Sequence, residues 1–166
     1  MDIYNAADSA FNTHTRFLAN QGDLIMHPEK KKFAYSLRFS SNLDVFEIVD
    51  GKIKLIKSLR LGDPKLKSTV ESGIFYSAKL TEDTQIGYLN ICATEDYIYA
   101  LYTDKKARES TRKSNIVLVF DWNGNPVRKY LLDTDVYYMA VDESLHSMFA
   151  CLLYTSPSPR DRSLSR

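Results

Sequence analysis

A pattern that starts over constrains this chain more than any other feature. Gly87-Tyr88-Leu89-Asn90-Ile91-Cys92-Ala93 repeats the arrangement of Gly22 to Pro28 at an offset of 65 residues. Tyr97 to Tyr102 repeats the stretch from Phe33 at 64, and Phe120-Asp121-Trp122 repeats Phe46-Glu47-Ile48 at 74. A third start, Val136 to Glu143 followed by Ser147-Met148-Phe149, repeats the stretch around Ile91 at an offset of 48. Each unit is a series of short β-branched and aromatic runs separated by turn residues, which is how strands read. Units of about 40 to 50 residues, each of four antiparallel strands, are the signature of a β-propeller.

The first unit, residues 16–59, opens on Arg16-Phe17-Leu18-Ala19, which reads as strand-like, and on the turn cluster Asn20-Gln21-Gly22-Asp23. The strand that follows is closed by Pro28, which has no N–H for a ladder. Phe33, Tyr35, Leu37 and Phe39 fall at period two, so that face of the next strand is expected to be buried. Leu43 to Val49, the turn Asp50-Gly51 and Ile53 to Leu59 make a hairpin whose last strand has one solvated face. The second unit, residues 87–132, contains the clearest hairpin: Ile116 to Phe120 runs into Asn123-Gly124-Asn125-Pro126, and Val127 to Leu132 leaves it. The third covers 136–150. Two long polar excursions interrupt the pattern, Arg60 to Gln85, with a short strand expected in Gly73 to Leu80, and Thr103 to Ser114. The expected fold is all-β: an incomplete propeller of about two and a half four-stranded antiparallel blades over 11–150, behind an irregular lead-in at 1–10.

Composition agrees with an ordinary globular chain that leans towards strands, since 44% of residues are hydrophobic, 26% are charged, and there are eleven Tyr and eight Phe. A formal charge of +1 argues against a nucleic-acid surface. No apolar run approaches the roughly 20 residues that span a bilayer, and Met1-Asp2-Ile3-Tyr4 lacks the basic and apolar regions of a signal peptide. Cys151 to Asp161 breaks the alternation. Its eleven residues resemble the translation, in one frame, of a transposase-type sequencing adapter. On that reading residues 151–166 are a non-native disordered tail, the natural frame ends near Ala150, and Cys92 has no disulfide partner.

A family resemblance rests on Arg16-Phe17, Gly22-Asp23-Leu24-Ile25, His27-Pro28, Phe33-Ala34-Tyr35, Asp44-Val45-Phe46-Glu47-Ile48, Gly87 to Ile91, Ile98 to Tyr102 and, most specifically, Phe120-Asp121-Trp122-Asn123-Gly124-Asn125-Pro126. Over about residues 11 to 150 the chain resembles the TolB-like six-bladed propeller proteins of Bacteroidetes. The resemblance implies a six-bladed ring, a periplasmic or cell-surface location, often through a lipid anchor, and no established catalytic residues.

Among candidate sites, His27 ends an innermost-type strand, but a metal there would need further ligands, and the matching positions are Cys92 and Ala140. A structural role is expected for His27, and that of a small buried residue for Cys92. Asp104 to Lys113 is a charged loop that can grip an anion or simply be solvated. Trp122 and Tyr130 either form an exposed aromatic patch or, as expected here, pack against a neighbouring blade. No nucleophile elbow, phosphate loop or zinc spacing occurs, so no catalytic residue, cofactor or metal is assigned. Because strands alternate in direction, both excursions should rise over the same end of the ring. Phe75, Tyr76, Lys105, Lys106, Arg108 and Arg112 then form the expected partner-binding face. The reading is a fragment of an exported propeller acting as a binding or scaffold module for an unknown protein or glycan partner. The alternative is a fragment of a propeller enzyme, lactonase-like or glycan lyase-like, with its catalytic residues in blades outside this chain; the inner strands here offer Leu24, Met26, Leu89, Ile91, Met139 and Val141.

Overall fold

A computed structural model describes residues 13–71, 75–109 and 112–152. One short helix, α1 (Thr13–Ala19), precedes strands β1 (Gly22–Met26), β2 (Lys32–Leu37), β3 (Leu43–Val49) and β4 (Lys52–Leu59), which form an antiparallel sheet in chain order. A separate hairpin follows, β5 (Leu66–Glu71) and β6 (Phe75–Leu80). The second four-stranded sheet is β7 (Tyr88–Ala93), β8 (Tyr97–Tyr102), β9 (Ser114–Asp121) and β10 (Pro126–Val136), again in chain order. The third is the pair β11 (Tyr138–Asp142) and β12 (Ser147–Cys151). The tight turns carry the backbone that their residues favour: Asp50 and Gly51 have φ of 51° and 72°, and Gly124 has φ of 78°.

Register places small and branched residues on matched faces. Ala34 lies opposite both Ile25 and Val45, and Ala100 lies opposite both Ile91 and Leu118. The sheets therefore stack face to face. Ala34, Leu43 and Val45 of the first sheet pack on Ile91, Ile98, Ala100, Phe120 and Trp122 of the second. The opposite face of the second sheet, with Leu89, Tyr99, Leu101, Val117 and Val119, packs on Met139, Val141 and Met148 of the third. The first strands β1, β7 and β11 lie side by side, as the innermost strands of successive blades do. Asn90 of β7 ties two of them together, its Oδ1 accepting the Met139 amide at 3.0 Å.

Three expectations need correction. Arg16 to Ala19 is helical rather than strand-like, because Thr15 and Ala19, one turn apart, are both fully buried and the helix docks on the β5–β6 hairpin, with Thr15 Oγ1 2.8 Å from Ser68 Oγ. Of the face of β2 expected to be buried, Leu37 is buried, but Phe33, Tyr35 and Phe39 are half-buried, and Ala34 and Ser36 between them are buried. The second blade packs on the Ala34 side, where Ala34 faces the buried cluster shared with Ile91, Ile98 and Ala100. The strand expected in Gly73 to Leu80 is present as β6, and it pairs with β5, which the sequence reading missed, to make a hairpin. β12 runs to Cys151, the first residue of the expected tail, while the lead-in at 1–10 and residues 153–166 lie outside the described residues.

Two apolar sheet faces remain open at the ends of the stack. Leu24, Met26 and Ile53 on the outer face of the first sheet are 61%, 59% and 67% exposed, and Tyr138 and Phe149 on the outer face of the third are 60% and 56% exposed. Contiguous apolar surface of this kind drives association. The chain should self-associate on its own: light scattering at rising concentration should report species heavier than 19.1 kDa, and Leu24→Ser with Ile53→Ser should reduce them. A monomer at every concentration would contradict this.

Candidate functional site

Strand direction sorts every connector to one end of the stack or the other. Among the described residues, 38–42, 60–71, 75–87, 103–109, 112–113 and Tyr137 lie at the end where β1, β7 and β11 begin; residues 27–31, 50–51, 94–96, 122–125 and 143–146 lie at the opposite end. At the first end the two excursions are joined through their backbones. Gln85 and Lys106 form an isolated antiparallel bridge, the Ile86 amide donates to the Lys105 carbonyl at 3.0 Å, and the Ala107 amide donates to the Thr84 carbonyl at 2.8 Å. Lys106 Nζ adds an ion pair to Asp83 Oδ1 at 2.7 Å, holding the Asp83 carboxyl below the usual carboxylate range. That pair is exposed and contributes little to stability, so the backbone bonds set the geometry. The base of the first excursion is held as well: Asn42 Oδ1 accepts the Leu61 amide at 2.9 Å, and Arg60 pairs with the buried Asp44 at 2.6 Å.

Of the residues expected to form a binding face, Lys105 and Lys106 lie on this junction, half-buried. Arg108 is exposed and pairs with Glu109 at 3.2 Å. Arg112 is exposed, with a positive φ of 59°. Phe75 and Tyr76 belong to β6, and their side chains lie outside what the structure describes. At the same end two depressions are lined in part by residues of the excursions. One, of about 410 Å³, is polar and includes Ser40, Asp63, Asp104 and Lys106. The other, of about 630 Å³, includes Arg38 and Arg112 with an apolar wall. Arg38 was invisible to sequence reasoning, although it occupies the β2–β3 connector, the counterpart in the first blade of the 103–113 loop in the second.

The remaining candidates sit elsewhere and pack. His27 is buried, its Nδ1 accepting the Glu29 and Lys30 amides at 3.0 Å each, and its ring lies 4.9 Å from that of Trp122. Among the described residues no group of three or more His, Cys, Asp or Glu is arranged to hold a metal. Cys92 is half-buried, and burial pushes its thiol up to about 11, against a hydrogen bond with the Val141 backbone. Trp122 is 5% exposed and its indole N–H donates to the Thr94 carbonyl of its own blade at 3.1 Å, while its ring lies against His27 and in one cluster with Val45 of the first blade, so it packs between blades rather than forming an exposed patch. Tyr130 is half-buried, with Arg128 over its ring.

The turn at Trp122 to Asn125 is organised by Asp121. Its Oδ1 accepts the Asn123 and Asn125 amides at 2.9 Å each, and its Oδ2 accepts the Asn125 side-chain amide at 3.0 Å. Partial burial would raise the Asp121 pKa, but these hydrogen bonds outweigh it and hold the carboxyl below its ordinary value of 3.8. A carboxylate depressed in the folded state adds stability above its unfolded pKa and loses it as pH falls through the folded one. The melting gap between the native chain and Asp121→Ala should thus be widest near neutral pH and close as pH falls below about 4. A gap independent of pH would contradict the assignment.

Four-stranded antiparallel sheets stacked face to face, with their first strands side by side, define a β-propeller. The family model described as TolB-like 6-blade propeller-like matches residues 4–144, and the chain belongs to that family. No curated protein matches it. Among the described residues no helix is long and apolar enough to cross a membrane.

Proposed function

We propose that this propeller is an exported, non-catalytic binding or scaffold module that captures a protein or glycan partner at the end where its two excursions meet. Phe75, Tyr76, Lys105, Lys106, Arg108 and Arg112 are the contacting residues in this reading. The observation that supports it is the backbone junction of Gln85 and Ile86 with Lys105 and Lys106, which makes one continuous surface of two insertions. Stacked sheets beneath give that surface a rigid base, and recognition on rigid scaffolds falls to loops. The opposite end offers the short turns at Asp50-Gly51 and Asn123-Gly124, with little surface to vary. Export is the habit that the family resemblance implies.

The test is capture on a combined glycan and peptide array by the chain and by a variant with residues 60–85 and 103–114 each shortened to a tight turn. Capture by the native chain that disappears in the variant, with the circular dichroism of the blades retained, is the expected result. Equal capture by both would refute the reading.

A further inference from the structure

The depression of about 630 Å³ lies where three blades meet, and its size falls within the range of small-molecule sites. Its floor is built from the same place in each blade: Gln21 precedes β1, Ile86 precedes β7, and Tyr137 precedes β11. Two arginines reach it from equivalent connectors of consecutive blades, Arg38 from β2–β3 and Arg112 from β8–β9. Among the described residues no acidic one lines it.

Arg38 is held in place by both ends of its own backbone. Its amide donates to the Gln21 carbonyl at 2.8 Å, and its carbonyl accepts the Gly87 amide at 2.9 Å, so it bridges the starts of β1 and β7. Its guanidinium lies 3.6 Å from Asp23 Oδ1, a half-exposed pair at long range that takes up little of a five-donor fork. Arg112 has a left-handed backbone, φ 59°, a conformation that a non-glycine residue adopts at a cost and that concentrates at functional sites. The same lining includes the apolar side chains of Ile86 and Leu89, both buried, with those of Phe39 and Leu80.

From this juxtaposition we infer that the depression binds a small organic acid, its carboxylate on Arg38 and Arg112 and its apolar body on Ile86, Leu89 and Phe39. Guanidinium forks match the planar carboxylate in shape and charge, and the apolar wall selects against a bare inorganic anion. The inference deepens the binding reading above and rests on it for placing recognition at this end.

The test is calorimetric titration of the full chain with 4-phenylbutyrate, its neutral amide 4-phenylbutyramide, acetate and inorganic phosphate. Phenylbutyrate should bind, and the other three should bind at least about tenfold more weakly, since a charge-assisted hydrogen bond and an apolar contact are each worth that much. Arg38→Gln and Arg112→Gln should each weaken phenylbutyrate by at least about tenfold. Arg38→Lys should retain part of the affinity, and Lys52→Gln, at the opposite end, should change nothing. Equal affinity for the amide, affinity for phosphate that matches the acid, no binding of phenylbutyrate, or a loss in Lys52→Gln equal to that in the arginine variants would each overturn the proposal. Since no array partner is needed, a failed titration beside loop-dependent capture rejects this site alone, and the converse rejects the loop reading alone.

Discussion

Gly87→Ala should unfold the chain more readily than any other single methyl addition in the second blade. A Cβ at Gly87 would lie 1.8 Å from the Ser40 carbonyl oxygen, a backbone atom of the first blade with no soft direction in which to yield. The same close approach lets the Gly87 amide donate to the Arg38 carbonyl at 2.9 Å, while the Gly87 carbonyl accepts the Thr103 amide at 2.9 Å. Alanine must push the β2–β3 connector away, breaking the first bond and opening the packing of Ala34 and Leu43 against Tyr88 and Ile91. A cost of at least about 3 kcal/mol is expected in urea denaturation, the upper range of overpacking. Gly22→Ala should cost a similar amount, since its Cβ would lie 1.7 Å from the Ser36 carbonyl oxygen. Gly62→Ala meets nothing within 4 Å and should stay within about 0.5 kcal/mol of the native chain. If all three melt alike, the blades do not approach as described.

Trp122→Ala should be the most damaging truncation in the interface between the first two blades. The indole is 5% exposed, packs with Val45 and Phe120, and donates its N–H to the Thr94 carbonyl at 3.1 Å. Its own carbonyl accepts Lys32 Nζ at 3.4 Å, which draws the turn of the second blade onto the first. Removing the ring should cost about 3–5 kcal/mol. Trp122→Phe keeps most of the packing and loses one buried hydrogen bond, for about 1–2 kcal/mol. Because the chain has a single Trp, its fluorescence reports directly on this interface: emission should be blue-shifted and poorly quenched by acrylamide. Solvent-like emission would return Trp122 to the role of an exposed patch.

The repeat was legible because its strands are short and its turns carry residues with one dominant use. Leu43 to Val49 and Tyr97 to Tyr102 are read at the bounds they adopt, and the turn pairs Asp50-Gly51 and Asn123-Gly124 announce the positive φ values shown by Asp50, Gly51 and Gly124. α1 was not legible, because a helix of seven residues is too short for its periodicity to stand out, and it owes its place to the hairpin β5–β6, far along the chain. The buried side of β2 was misread because Phe33 and Tyr35 share the outer face of the first sheet with the exposed Leu24 and Met26, while Ala34 lies on the side that the second blade covers, so size does not mark the inside here. The candidate binding end shows the same division. Its placement follows from strand direction alone, and its loop lysines were visible as a charge run. Arg38 was hidden, since its importance comes from a backbone contact with Gly87 in the next blade, and no local pattern carries that information.

The claim on which this account turns is that recognition belongs to the end where the excursions meet, and blocking each end in turn tests it most directly. In a chain with Cys92→Ser and Cys151→Ser, a bulky maleimide would be attached to a single cysteine replacing Asp104, at the excursion end, or Asn123, at the turn end; both positions are exposed. Array capture should be lost with the block at 104 and retained with the block at 123. Retention at 104 together with loss at 123 would contradict the account.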